Sequence, residues 1–246
     1  MKPIISPVGD CAISIDFGQV IDPKINRHIR QTIERIQALQ LDGIIELVPT
    51  YCALLLQYDA MLYSYAELCN IIEPTLEQTV TDNTNELVTV VEIPTVYGSE
   101  FGPDLGFVAS HNNLTEDEVV AIHSGTDYLV YMLGFIPGFT YLGGMDPRIV
   151  TPRLSSPRTL IPAGSVGIAG AQTGTYPSDS PGGWQIIGRT PVTMYDISKE
   201  QAALLSAGDY VRYVPIDEAE YNRIKALGAD YAPSMYEVEV GELRGY

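Results

Sequence analysis

Two arginines, Arg153 and Arg158, each directly follow a proline in the segment TPRLSSPR. A planar guanidinium donates paired hydrogen bonds in one plane, which suits a carboxylate or a phosphate, although surface solubility would also account for either arginine. Just upstream, Gly134-Phe135-Ile136-Pro137-Gly138-Phe139 contains a Pro-Gly pair for the two central positions of a type II turn, with aromatics on both sides. A corner of a barrel packed on Phe135 and Phe139 would give the same pattern. Downstream, residues 161–174 place small side chains where a backbone must pass close to something, and Ser165, Gln172 and Thr173 could donate hydrogen bonds there. This is not a Walker loop, because no G-K-[ST] occurs, and tight barrel curvature would explain its glycines equally well. Tyr176 and Trp184, the single tryptophan of the chain, add an aromatic wall.

Of the three histidines, His123 falls in the last turn of a helix. An imidazolium there would stabilise the helix end, and the alternative is a general acid or base. The expected site therefore comprises His123, Arg153 and Arg158 as chemical groups, with Phe135, Pro137, Phe139, Ser165, Gln172, Tyr176 and Trp184 shaping a substrate pocket. The three cysteines, Cys11, Cys52 and Cys69, have no C-x-x-C spacing and read as reduced, buried thiols. Dispersed histidines and cysteines predict no metal site.

These residues sit in a stretch unlike the rest of the chain. Gly134 to Pro191 holds 11 of the 22 glycines and 8 of the 17 prolines, with four arginines against two aspartates. The whole chain of 246 residues carries a formal charge of −17. A locally cationic, turn-rich surface on an anionic protein is where an anionic small molecule or an acidic partner would be recognised. The overall charge argues against nucleic acid. The start, MKPIISPVGD, lacks the apolar core of a signal peptide and no long uncharged apolar run follows, so a cytoplasmic protein without membrane attachment is expected.

Two kinds of pattern must position the site. Cys11 to Phe17 alternates, Asp22-Pro23 caps a helix with an Ile25, Ile29, Ile33, Ile36 stripe, and Ile44–Val48 and Ala53–Tyr58 read as strands. Met61, Leu62, Tyr65, Leu68, Cys69 and Ile72 form a second helical stripe. This βαββα order predicts a small α+β domain, ferredoxin-like in outline, over residues 1–86. The polar stretch between Leu76 and Leu87 is the expected linker. A strand at Val88–Ile93, a capping box at Thr115–Glu118 and then short strands to about Val214 predict a mainly β barrel over residues 87–246. The acidic segment from Pro215 onward reads as a solvated face.

The run YLVYMLGFIPGFTYLGGMDPRIVTPRLSSPRTLIPAGSVGIAGAQTGTYPSDSPGGWQIIGRTP resembles the signature of the family that includes the 5-oxoprolinase B subunits, the kinase inhibitor KipI and allophanate hydrolase subunit 1. The likeness extends back through VYGSEFGPDLGFVA and EVVAIHS, and more weakly into the first third. The resemblance implies a cyclophilin-like barrel after the α+β domain. It also implies a bacterial protein working with two further 5-oxoprolinase components, a C-type one resembling allophanate hydrolase subunit 2 and an A-type one. Together these would open 5-oxoproline to glutamate with ATP and Mg2+, neither held tightly by this chain alone. It implies too, as alternatives, an inhibitor bound to a sporulation histidine kinase, or a component of urea carboxylase or allophanate hydrolase.

Overall fold

In the computed structural model, residues 3–76 and 86–245 are described. They fall into two compact units, Met1–Asn83 and Thr84–Tyr246. Most of the expected linker, residues 77–85, lies outside the described residues.

The first unit is a four-stranded antiparallel sheet with two helices. Strands β1 (Ile4–Val8), β2 (Ala12–Asp16), β3 (Ile44–Pro49) and β4 (Ala53–Tyr58) are ordered β1-β2-β4-β3. Helix α1 (Pro23–Ala38) starts where Asp22 Oδ1 accepts from the Lys24 amide at 2.7 Å, and proline at the first position costs no helical hydrogen bond. Its Ile29 and Ile36 pack on the inward, alternate residues Ile13, Ile15, Leu54 and Leu56, together with Leu68 and Ile72 of α2 (Tyr65–Leu76). The βαββα expectation missed β1, which carries Pro7 and is largely exposed, so it shows no clean apolar alternation. Met61 and Leu62, expected on the second helical stripe, precede α2 and are exposed.

The second unit is mainly β. Strands β5 (Leu87–Tyr97), β6 (Asp127–Leu133), β7 (Thr140–Gly143), β9 (Ser165–Ala169), β10 (Gln172–Thr175), β12 (Gln185–Arg189) and β13 (Tyr210–Pro215) follow the order β10-β9-β12-β5-β13-β6-β7. The ends of that path lie side by side, with Gly174 of β10 against the Thr140 carbonyl of β7, so the sheet is a nearly closed barrel. Its interior is filled by Val91, Ile93, Val130, Val166, Ile168 and Val211 among others. The remaining strands, β8 (Arg158–Ile161) and β11 (Ser180–Gly182), pair separately. Side-chain alternation sends Val166, Ile168 and Ile187 into the barrel core and Ala169 and Ile186 into a second, smaller core with Phe139, Ile161, Tyr176 and Trp184.

Among the described residues, three α-helices complete the unit: α3 (Leu105–His111), α4 (Glu116–Ser124) and α5 (Glu218–Leu227). At α4 the expected capping box forms, with Thr115 N donating to Glu118 Oε2 at 2.7 Å and Glu118 N to Thr115 Oγ1 at 3.2 Å. The segment after Pro215 is more than a solvated face, since it holds α5 and a last strand, β14 (Met235–Glu239), paired antiparallel with β5. Arg212 anchors this region. Its Nε and Nη2 donate to Asp127 at 2.7 and 2.6 Å, and Nη1 donates to the Tyr236 hydroxyl.

Candidate functional site: an aromatic pocket with one arginine

The Pro-Gly turn forms as its residues require. Gly138 has φ +81, and the Phe139 amide donates to the Ile136 carbonyl at 3.0 Å, closing a four-residue turn around Pro137. A Cβ on Gly138 would lie 2.6 Å from Tyr195 Cβ, so close approach demands glycine as well as the positive φ. Phe135, at φ +71, is a non-glycine residue in the left-handed region, which costs about 1 kcal/mol and holds its ring outward at 69% exposure.

Behind this turn lies a pocket of about 230 Å3 lined by Phe135, Phe139, Tyr141, Arg153, Tyr176 and Trp184, with Pro181, Gly182 and Gly183 at its edge. Its back wall is built on glycine. Ideal Cβ atoms on Gly167 and Gly174 would sit 3.3 Å from Trp184 Cβ and 3.4 Å from its ring, so the indole rests on the bare backbone of β9 and β10. Phe139 meets Trp184 edge to face at 5.7 Å and Tyr176 at 5.7 Å. Gly182 is obligatory for a similar reason, because its Cβ would fall 2.4 Å from the Tyr176 hydroxyl.

Arg153 reaches the pocket because its loop is pinned on both sides. Thr151 bridges Gly170, and the Leu154 amide donates to the Gly183 carbonyl at 2.7 Å. The guanidinium carbon then lies 6.0 Å over the Trp184 ring, a cation–π contact at an exposed residue. Burial pushes the Tyr176 phenol up to about 12, against the opposing pull of Arg153 and Arg158, so it is a neutral hydrogen-bond donor at ordinary pH.

Five of the ten expected residues meet here: Phe135, Phe139, Arg153, Tyr176 and Trp184. The others do not. Pro137 is exposed on the turn, Ser165 is buried in β9, and Gln172 lies half-buried on β10. Arg158 is committed elsewhere, with Nη2 donating to Asp104 Oδ1 at 2.7 Å and Nη1 to the Trp184 carbonyl at 3.2 Å. Asp104 also accepts from the Ile186 amide at 2.6 Å, so this ion pair clamps the loop before α3 to the start of β12.

His123 requires the largest correction. It is fully buried in the barrel, ringed by Tyr97, Tyr128 and Tyr213, with Tyr97 Oη 2.8 Å from Nδ1 and Thr173 Oγ1 2.7 Å from Nε2. Thr173 donates to the Gly167 carbonyl at 3.1 Å, so its hydroxyl accepts from Nε2–H while Tyr97 donates to Nδ1. Burial lowers the imidazole pKa to about 3, which makes it a neutral core group and removes both the imidazolium and the proton-carrier reading at this pocket.

Sequence reasoning missed Asp104, which stands in an ordinary turn segment, and Tyr97, whose strand position gives no sign of a histidine partner. Among the described residues no cluster of three or more His, Cys, Asp or Glu is placed to hold a metal ion, and no helix is long and apolar enough to cross a membrane.

Fold and pocket together define a class: a barrel bearing, on its outer face, an aromatic recess with one available guanidinium. The chain belongs to the carboxyltransferase domain family, subdomains C and D, whose family model matches residues 3–205. It is 44% identical over 231 residues to the B subunit of 5-oxoprolinase from Bacillus subtilis, covering 90% of this chain and 96% of that one. The solved structure of TTHA0988 superposes with a TM-score of 0.73 at 36% identity over 84% of this chain, which spans only 40% of that longer one. Urea amidolyase of Kluyveromyces lactis, at 21% identity and a TM-score of 0.78 over 96% of this chain, shares the fold.

Proposed function

We propose that this chain is the B-type component of an ATP-dependent 5-oxoprolinase and that the aromatic pocket receives 5-oxoproline. The observation that carries the reading is Arg153 poised over Trp184 in a recess of about 230 Å3, in a chain that matches a 5-oxoprolinase B subunit along nearly its whole length. A small, flat lactam bearing one carboxylate suits one guanidinium and three aromatic walls.

The overall reaction breaks the lactam C–N bond and forms a C–O bond from one water, giving glutamate, while ATP and a second water become ADP and phosphate. In this reading Arg153 holds the substrate carboxylate, the aromatic lining packs against the ring and displaces water, and the neutral Tyr176 phenol donates a hydrogen bond. The lining residues include no carboxylate, histidine or thiol, and their single cation does not suit a triphosphate with its metal. The base and the nucleotide therefore come from the partner proteins, the A-type component and the C-type component resembling allophanate hydrolase subunit 2, and the site is shared.

The test is 5-oxoproline-dependent ATP hydrolysis, with glutamate detected, for this protein alone and mixed with those two partners. Turnover only in the mixture, with kcat/KM lowered about a hundredfold in Arg153→Ala, is expected. A verified complex without turnover overturns the reading.

A further inference from the structure

A second pocket, of about 360 Å3, opens where the loop Pro162–Gly164 and the end of β12 face α5. Two cations line it from different elements: Arg189, the last residue of β12, and Lys225, in the last turn of α5. One carboxylate, Asp179, faces them, and its Oδ1 already accepts from the Ala163 amide at 2.8 Å.

The construction is specific. Gly164 has φ +79, and a Cβ there would be 2.2 Å from the Thr190 carbonyl and 3.5 Å from Arg189 Cγ, so the loop lies directly on the arginine stem. Lys225 Nζ stands 5.7 Å over the ring of Tyr221, which is itself buried. Arg189 Nε is shut off from solvent while the residue as a whole is half-buried, so the stem is fixed by the fold and the outer edge of the guanidinium is the part that can meet an anion in the pocket.

We propose that this pocket is an oxyanion site, distinct from the aromatic pocket, that binds a phosphate group between Arg189 and Lys225. Two separated cations suit a dianion better than the one-arginine aromatic recess does, and the wall offers Thr190 and Thr193 beside a single aromatic ring, Tyr221. Asp179 opposes the charge and weakens the binding. The inference rests on this pocket alone and holds whether or not the chain serves a 5-oxoprolinase.

The experiment is titration of the full chain with inorganic phosphate, and separately with metal-free ADP, while following side-chain arginine Nε–H signals by NMR. The Arg189 signal is identified by its loss in Arg189→Lys. Saturable movement of that signal is expected. Lys225→Ala, an exposed change that leaves the fold intact, weakens binding about tenfold, a loss of about 1.4 kcal/mol. Asp179→Asn tightens it about threefold, and Arg153→Ala leaves it unchanged. Free phosphate binding as tightly as ADP identifies a phosphate site, and tighter ADP identifies a nucleotide's phosphate end. No saturable shift with either probe, an Lys225→Ala protein that binds like wild type, or loss of binding in Arg153→Ala overturns the proposal. So does weaker binding in Asp179→Asn, which would show that this carboxylate supports the ligand instead of opposing it.

Discussion

Trp184 divides two regions that look alike in sequence and behave in opposite ways. On its carbonyl side, Arg158 is locked to Asp104 and to the tryptophan backbone, with the Asp104 carboxylate only 12% exposed. On its ring side, Arg153 lies over the indole at the mouth of a pocket. Both follow a proline in the same eight residues, yet one arginine holds the fold and the other is available to a ligand. A guanidinium is functional or structural according to what already neutralises it, and that is a property of distant residues.

A graded series of variants tests this contrast. Trp184→Ala, which removes the body common to both sides, is expected to cost about 3–5 kcal/mol of stability in urea unfolding, as for other buried aromatics. A wild-type midpoint would show that the indole is not a core element.

Asp104→Ala strips the acceptor from Arg158 and from the Ile186 amide, and should cost about 2–4 kcal/mol, whereas Arg153→Ala should stay within about 0.5 kcal/mol of wild type. Equal losses in the two variants would abolish the distinction between the arginines. In the assembled complex the order reverses, and Arg153→Ala is expected to lower kcat/KM about a hundredfold, equivalent to about 2.7 kcal/mol of lost interaction.

His123 sharpens the contrast between buried and available groups. Its folded pKa, about 3, lies below the ordinary value of 6.5, so the unfolded chain takes up the proton first. Its contribution is full above pH 6.5 and is lost as pH falls from there toward 3, with a slope of up to about 1.4 kcal/mol per pH unit. Unfolding free energies for wild type and His123→Gln between pH 4 and 8 should show the shallower slope in the variant; parallel curves would mean that His123 titrates alike in the folded and unfolded chain.

The smallest effect concerns the turn. Phe135→Gly relieves the left-handed backbone and should change stability by no more than about 1 kcal/mol, in the favourable direction, while removing one wall of the pocket. A clear loss of stability would show that the exposed ring packs more tightly than its position implies.

Much of this was legible in the order of residues. Asp22-Pro23 started α1, Thr115 and Glu118 closed a capping box, Pro137-Gly138 made the turn, and the glycine-rich run supplied the bare backbone on which Trp184 lies. These features are local, since each depends on backbone preferences or on partners a few residues away. The clustering of Phe139, Tyr176 and Trp184 was legible as an aromatic wall, while a packed barrel corner had the same signature, and the three rings form a small buried core behind the pocket. What tertiary structure alone decided was which charged and titratable groups are satisfied. Asp104 lies 54 positions from Arg158, and Thr173 lies 50 positions from His123. Both pairings arise from the packing of loops and helices against the strands, where electrostatic and hydrogen-bond partners are chosen by proximity in space, a quantity that no local pattern encodes.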